Sequence, residues 1–139
     1  MLETKQRLRV LLVDDDPLLL NALARLLGKH FEVLKAADGA EAKKVVANVV
    51  VDLILSDYSM PEMDGLALIQ LLRTQGQSAP ASLVTAAGEC EEIQEARRSG
   101  LISSVIAKPW RQAEMLTEAL RLVQGAQPTS GAEPSSTAC

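Results

Sequence analysis

Polar side chains that could do chemistry stand directly after short aliphatic runs of this sequence. The consecutive aspartates Asp14–Asp16 follow the run LRVLLV, and Asp57 follows the run DLILS. Thr85 and Lys108 follow two later runs in the same way. Near-continuous apolar runs of this length are typical of strands buried on both faces of a parallel sheet. Because the carboxyl ends of such strands share the edge where ligands bind, we expect these side chains to converge.

Converging carboxylates would form a cation site. Carboxylates in one pocket repel one another unless a divalent cation, a proton or a nearby ammonium group relieves the repulsion. Oxygen ligands of this kind suit Mg²⁺, so Asp14, Asp15 and Asp57 are the predicted metal ligands. Lys108 supplies a mobile positive charge that could pair with Asp57 or with an incoming phosphate. Thr85 supplies a hydroxyl that could hydrogen-bond to a phosphoryl oxygen.

The chemistry that these residue types favour is phosphoryl transfer to a carboxylate. A carboxylate is a weak nucleophile that can form an acyl phosphate, with positioning and charge neutralisation by Mg²⁺ and Lys108. The product would add roughly −1.5 to −2 of charge, enough to draw Thr85 inward and move the loops around it. Asp16 has two interpretations: it is the N-cap of the following helix, or it touches the water shell of the metal.

The rest of the chain supplies elements that would position these residues. The aliphatic runs predict strands over residues 8–13, 31–36, 52–56, 81–84 and 102–107. Apolar residues at helical spacing after each run predict helices over 17–27, 39–49, 66–72, 89–99 and 111–124. Asp38 and Glu41 resemble the capping box of the second helix. Five strand–helix units predict an α/β domain with a parallel sheet and helices on both faces.

Composition predicts a single domain with an aliphatic core. Apolar residues make up 47% of the 139 residues but aromatic residues only 2%, so the core must be built from Leu, Val, Ile and Ala. Residues 1–7 form a predicted N-terminal extension, and residues 8–124 form the predicted domain. The last segment, 125–139, is rich in Pro, Ser, Thr, Gly and Ala and is predicted to be a disordered tail or the start of a linker.

Several classes of protein are disfavoured by the same composition. The formal net charge is −4 and no basic run stands out, so the footprint of a nucleic-acid-binding domain is absent. No apolar run approaches the ~20 residues that a membrane span needs, and the N-terminus lacks an apolar signal core. The two cysteines lack zinc-type spacing. We therefore expect a soluble cytoplasmic protein whose domain contacts neither nucleic acid nor membrane.

Four segments are similar to the receiver domains of two-component response regulators, over residues 8–123. LLVDDDP resembles the acidic-pair segment of that family, and DLILSDYSMPEMDGL resembles its phosphoacceptor segment. LVTA and AKPW resemble the segments that carry its Thr and its Lys-Pro pair. The resemblance implies the flavodoxin-like fold of the CheY-like superfamily, a three-layer (βα)5 sandwich with a five-stranded parallel sheet in the order 2-1-3-4-5.

The resemblance also implies a role for each site residue. Asp57 would accept a phosphoryl group from a histidine kinase or phosphotransfer protein, and Thr85 and Lys108 would bind the phosphoryl oxygens. The implied ligands of Mg²⁺ are the carboxylates of Asp14, Asp15 and Asp57 and the backbone carbonyl of Ser59. Such a domain is a signalling phosphoacceptor that catalyses only its own phosphorylation and slow autodephosphorylation. It would switch the face formed by the fourth helix, fifth strand and fifth helix, for a downstream effector or a linked output domain.

One position departs from the family pattern. Val105 stands three residues before Lys108, where the family often carries a Tyr or Phe that turns inward on activation. We therefore expect movement of Thr85 and its loop to be the main switching event. Pro109, which follows Lys108, resembles the proline of the family's cis peptide bond.

Two alternatives remain at this point. A phosphohydrolase of the haloacid-dehalogenase type is suggested by Asp14-x-Asp16 after an aliphatic strand. However, Pro17 stands where that motif usually has Thr or Val, and no acidic pair follows Thr85 to complete a metal site. The second alternative is a receiver-like scaffold that is not phosphorylated. A flavin site is disfavoured because three aspartates would repel its phosphate, and a dinucleotide site because no G-x-G-x-x-G follows the first strand.

Overall fold

The chain alternates strands and helices throughout the part that the computed structural model describes, residues 7–86 and 90–124. The strands are β1 (Arg9–Val13), β2 (Glu32–Ala36), β3 (Leu53–Asp57), β4 (Ala81–Thr85) and β5 (Ser104–Ala107). The helices are α1 (Pro17–Leu27), α2 (Gly39–Val45), α3 (Gly65–Thr74), α4 (Glu91–Arg98) and α5 (Gln112–Val123). The predicted tail, 125–139, and the predicted extension, apart from Arg7, lie outside the described residues. No helix in the described ranges is long and apolar enough to cross a membrane.

The five strands form one parallel sheet. Their order is β2-β1-β3-β4-β5, so β1 and β3 are neighbours at the centre. Val13 of β1 pairs with Ser56 of β3, and Asp57 pairs with Val84 of β4. The carboxyl ends of the strands are therefore level with one another. The fold and strand order implied by the family resemblance are confirmed.

The two faces of the sheet carry separate apolar cores. Val10 and Leu12 of β1 pack into a cluster with apolar residues of α1 and α5. Leu11 and Val13 point the other way, into a cluster with residues of α2, α3 and α4. This alternation follows from the two-residue period of a strand. The sheet is thus the middle of three layers, and its polar strand ends lie outside both cores.

Three of the helices begin at an aspartate N-cap. These caps lie at the edge of the sheet that holds the carboxyl ends of the strands, which we call the ligand edge. The Asp16 carboxylate accepts a hydrogen bond from the Leu18 N–H at 3.0 Å, so its interpretation as the N-cap of α1 is confirmed. Asp38 accepts from the Glu41 N–H at 2.8 Å. The Glu41 carboxylate accepts from the Ala37 N–H, one residue before the position that a capping box predicts. Asp64 caps α3 in the same way, accepting from the Ala67 N–H at 2.8 Å.

The predicted length of the second helix is wrong. α2 ends at Val45, although the apolar spacing continues to Val49. The reason is the buried side chain of Gln77, whose amide nitrogen donates to the Val49 carbonyl at 2.6 Å and whose oxygen accepts from the Val51 N–H at 3.1 Å. Because this glutamine, distant in sequence, supplies hydrogen-bond partners for the backbone of the loop, the chain turns toward β3 instead of continuing the helix.

The close approach of α3 to the end of β3 requires glycine at position 65. A Cβ built on Gly65 would lie 2.5 Å from the Asp57 carbonyl oxygen and 2.8 Å from Leu83 Cδ2. The Gly65 N–H also donates to the Tyr58 carbonyl at 2.8 Å. The first turn of α3 is therefore held directly against the backbone of the strand end that carries Asp57.

We predict that Gly65→Ala lowers the free energy of unfolding by about 1–3 kcal/mol, because the methyl group overpacks against rigid backbone. Gly39→Ala is the matched control, because its Cβ would meet the flexible Met63 side chain, and its loss should be smaller. Urea unfolding followed by the fluorescence of Trp110, the only tryptophan, measures both. Equal losses for the two variants would contradict this account of Gly65.

Candidate functional site

The predicted site residues meet at one edge of the sheet. Asp14 and Asp15 follow β1, and Asp57 is the last residue of β3. Thr85 ends β4, and Lys108 comes directly after β5. Neighbouring parallel strands that end at the same level bring these five residues together, as the positions of the aliphatic runs predicted.

The Lys108 ammonium group bridges two of the carboxylates. Its Nζ lies 3.0 Å from Asp57 Oδ1 and 3.6 Å from Asp14 Oδ2. Asp57 and Asp14 are only 6% and 7% exposed. Because desolvated carboxylates are unfavourable without a partner, the lysine contributes directly to keeping the two strand ends together.

Three carboxylates form the one group in the described residues that could hold a metal ion. One oxygen each from Asp14, Asp15 and Asp57 lies within 4.8 Å of the others. Asp15 is exposed, whereas the other two are buried. An all-oxygen, carboxylate-rich set fits a hard divalent cation such as Mg²⁺ or Ca²⁺. The role of the Ser59 carbonyl stays a prediction.

The electrostatics of the cluster are those of crowded like charges. Burial, followed by the negative charges of Asp57 and Asp15, raises the pKa of Asp14. The hydrogen bond that Asp14 accepts from the Asp16 N–H at 2.9 Å and the charge of Lys108 act in the opposite direction but do not outweigh burial. Burial alone would lower the pKa of Lys108. The hydrogen bond to Asp57 and the two carboxylate charges outweigh burial and raise it. Lys108 therefore keeps its proton at neutral pH. One ammonium group cannot neutralise three carboxylates, so the net negative charge of the cluster favours binding of a further cation.

Thr85 and Lys108 are tied to each other through the backbone. The Lys108 N–H donates to the Thr85 carbonyl at 3.0 Å, which extends the pairing of β4 and β5 beyond the last residue of β5. Thr85 is 3% exposed. The Lys108–Pro109 peptide bond is cis, as the family resemblance implied. The hydroxyl-bearing and ammonium-bearing residues thus share one backbone support.

Tyr58 is a residue of the site that the sequence reasoning missed. It follows Asp57, and its hydroxyl donates to Glu92 Oε1 of α4 at 3.1 Å. Burial, followed by the hydrogen bond and charge of Glu92, raises the pKa of Tyr58 to about 12. Its hydroxyl therefore stays a donor at neutral pH. An aromatic residue directly after the candidate acceptor was the available signal, but its partner is far along the chain.

The loop after Tyr58 contains a backbone conformation under strain. Glu62 has a φ of +71°, and the Met63 N–H donates to the Pro61 carbonyl at 2.7 Å across it. This is a γ-turn of the positive-φ form, which is rare and strained. Met60 and Met63 hold the loop by packing against the core of the α2–α3–α4 layer.

Val105 occupies the position where the family often carries a Tyr or Phe. It is half-buried on β5, pairs with Leu83 of β4 and packs against the same core. Tyr58 is therefore the aromatic side chain that the described structure places between the strand end of Asp57 and α4.

The fold and the site define a doubly wound parallel α/β domain with a carboxylate-rich site at the carboxyl ends of its strands, where such domains bind their ligands. The family model described as "Response regulator receiver domain" matches residues 10–121. The chain belongs to this family.

Relatives carry similar domains in proteins of very different length. The chain is 36% identical over 108 residues to the sensor histidine kinase RcsC of Salmonella typhimurium, covering 77% of this chain and 11% of that protein. It therefore spans about a tenth of the length of that kinase. It is 33% identical over 127 residues to a probable chemotaxis protein CheY of Rhizobium etli, covering 87% of this chain and 95% of that one.

A solved receiver-domain structure is similar to this chain over most of its length. The receiver domain of the sensor histidine kinase PA1611 from Pseudomonas aeruginosa PAO1 is 25% identical, with a TM-score of 0.73. The match covers 85% of this chain and 98% of that one. That crystal structure is described as having a magnesium ion coordinated in the active site cleft.

We predict that the phenol of Tyr58 titrates near pH 12 and that Glu92→Gln lowers its midpoint toward the ordinary value of about 10. The direction follows because removal of a negative neighbour favours the phenolate, while burial keeps part of the shift. Near-ultraviolet absorbance reports this titration without ambiguity, since Tyr58 is the only tyrosine. Glu95→Gln, which changes an acid on the same helix, is the control. An unchanged midpoint in Glu92→Gln would contradict the contact.

Proposed function

We propose that this domain accepts a phosphoryl group on Asp57 within a two-component signalling system, with a histidine kinase or phosphotransfer protein as the donor. The observation that carries the proposal is the Lys108 ammonium, 3.0 Å from Asp57 Oδ1 beside the carboxylates of Asp14 and Asp15. A purely structural ion pair would not need two further acids beside it. The arrangement instead supports a site built to receive a cation and a phosphate together.

Each residue has a defined part in the proposed transfer. An Asp57 carboxylate oxygen attacks the donor phosphorus, the bond from phosphorus to the donor nitrogen breaks, and an acyl phosphate forms. Lys108 pairs with the phosphoryl oxygens, and the Thr85 hydroxyl donates to one of them. The groups that would hold Mg²⁺ are the carboxylates of Asp14, Asp15 and Asp57 and the carbonyl of Ser59. Bound Mg²⁺ would supply neutralisation of the charge that develops on the transferring group.

An apolar surface beside Lys108 supports a protein donor. Leu19 and Ala22 of α1 line a cavity of about 430 Å³ together with Ala86, Lys108, Pro109 and Trp110. Leu18, at the start of the same helix, is 79% exposed. An apolar patch next to a charged pocket is typical of a site where a partner docks. We place the donor protein on this surface, from which its phosphoryl group reaches Asp57.

The remaining features of the proposal follow from the family. The receiver domain occupies residues 8–124 and acts in the cytoplasm, without contacting nucleic acid or membrane. It is not a turnover enzyme, and it catalyses only its own phosphorylation and slow autodephosphorylation. The new charge on Asp57 switches α4, β5 and α5, and a downstream effector or a linked output domain reads that change.

We expect acetyl phosphate to add one phosphoryl group to the wild-type chain in the presence of Mg²⁺ and none without it. Asp57→Asn should show no modification, because the amide cannot attack phosphorus. Intact-mass spectrometry measures the product, and circular dichroism checks that the variant folds. Glu114→Gln, on the exposed side of α5, is the control for loss of one acid.

Two results would favour the alternatives. Continuous hydrolysis of a phosphate ester that survives Asp57→Asn would indicate a phosphohydrolase. The scaffold would be indicated if the folded wild-type chain, in the presence of Mg²⁺, were modified neither by acetyl phosphate nor by a phosphorylated phosphotransfer protein.

We predict that beryllofluoride with Mg²⁺ shifts the backbone amide signals of residues 86–110 in the wild type. Thr85→Ala should still take up beryllofluoride through Asp57 and Lys108, but most of these shifts should disappear because the hydroxyl that follows the phosphate analogue is gone. Two-dimensional ¹⁵N–¹H NMR measures both. Thr74→Ala, at the end of α3, is the matched control. Unchanged signals in the wild type would refute the proposed switch.

A further inference from the structure

A groove between α3 and α4 has no role in the proposed phosphoryl transfer. Its cavity volume is about 640 Å³. Leu66 and Ala67 of α3 line one side, and Ala96 and Leu101, within and just beyond α4, line the other. An apolar floor between two helices is the kind of surface that receives the apolar face of a third helix.

The rim of this groove is acidic. Asp64, Glu91, Glu92 and Glu95 contribute carboxylates, and Arg98 contributes the one positive charge among the lining residues that the structure describes. Arg98 is paired with Glu95, at 3.0 Å. Glu91 and Glu95 are one turn apart on α4, so both project from the same side of the helix. The groove therefore presents an excess of negative charge around an apolar floor.

This combination selects among the possible occupants. The segment 125–139 contains no Lys or Arg and one Glu, so it offers the rim no complementary charge. A second copy of the chain carries a formal net charge of −4 and is repelled at long range. A segment with apolar residues on one side and Lys or Arg on the other satisfies both parts of the groove.

We propose that the α3–α4 groove is a docking surface for a basic amphipathic helix of a partner protein. The apolar face of that helix covers Leu66, Ala96 and Leu101, and its flanking Lys or Arg residues pair with Glu91 and Glu95. The surface is distinct from the apolar cavity beside Lys108 where we place the phosphoryl donor.

The groove is also connected to Asp57. Glu92 on its rim accepts the Tyr58 hydroxyl at 3.1 Å, and Tyr58 is the residue after Asp57. The hydrogen bond from Tyr58 already has an ionised acceptor, but a Lys or Arg of the docked helix also carries a full positive charge and would compete with the neutral phenol for the Glu92 carboxylate. Docking of the helix and phosphorylation of Asp57 therefore influence each other, and this coupling is reciprocal. This second step rests on the proposed function.

The docking step is tested on the ¹⁵N-labelled full chain with a synthetic helical peptide of Leu and Lys, apolar on one side and basic on the other. We expect its amide shifts to map to α3 and α4, and a matched peptide with Glu in place of Lys to bind far more weakly. The double variant Glu91→Gln, Glu95→Gln should weaken binding roughly threefold to tenfold. The control double variant Glu32→Gln, Glu114→Gln removes the same charge elsewhere and should bind like the wild type.

Three results would overturn the docking proposal. The peptide shifts could map to another face, or both double variants could lose affinity equally. Alternatively, signals of the groove residues could broaden with protein concentration in the absence of peptide, which would identify a second copy as the occupant.

The coupling step is tested by the affinity of the same peptide with and without Mg²⁺ and beryllofluoride. We expect the wild-type affinity to differ by about fivefold or more between the two states, and the difference to vanish in Tyr58→Phe. Uptake of beryllofluoride by the protein is measured separately by fluorine NMR. Absent uptake would refute the proposed function. Normal uptake with equal peptide affinities would refute the coupling through Tyr58 and would not touch the phosphoacceptor role.

Discussion

The ligand edge of this domain depends on one balance of charge, in which a single ammonium group faces three carboxylates. Asp57 and Asp14 are almost fully buried, and Lys108 contacts both of them. Buried charges of one sign are tolerated only with a partner close by. The ends of β1, β3 and β5 are therefore linked electrostatically as well as by hydrogen bonds. The uncompensated negative charge that remains favours a divalent cation at this cluster of carboxylates.

The scaffold holds this unfavourable arrangement because the stabilising interactions lie elsewhere. Two aliphatic cores, one on each face of the sheet, supply the burial that drives folding. At the ligand edge the backbone is held by local contacts instead. Gly65 lets α3 lie against the Asp57 carbonyl, and the Lys108 N–H extends the ladder to Thr85. Polar groups that repel one another can then be placed at the strand ends without disturbing either core.

Membership in the receiver family leaves open how a particular chain transmits its signal. Here the residue three positions before Lys108 is Val105, which packs against the core, and the aromatic side chain near Asp57 is Tyr58, with its hydroxyl on Glu92 of α4. An aliphatic side chain offers no polar end that could exchange partners, whereas a phenol does. Between the strand end of Asp57 and α4, this chain thus has a specific hydrogen bond, from Tyr58 to Glu92, that could be made or broken.

Local patterns in the sequence indicated the order of the strands and helices and the candidate site residues at the strand ends. Aliphatic runs ended by Asp57, Thr85 and Lys108 indicate both the strands and the chemistry, because a strand and its terminal residue are contiguous. Only the tertiary structure decided that Lys108 bridges two aspartates, that Tyr58 reaches Glu92 and that Gln77 ends α2 early. These contacts join residues that are distant in the chain, and they depend on how the helices pack. A pattern of neighbouring residues carries no information about that packing.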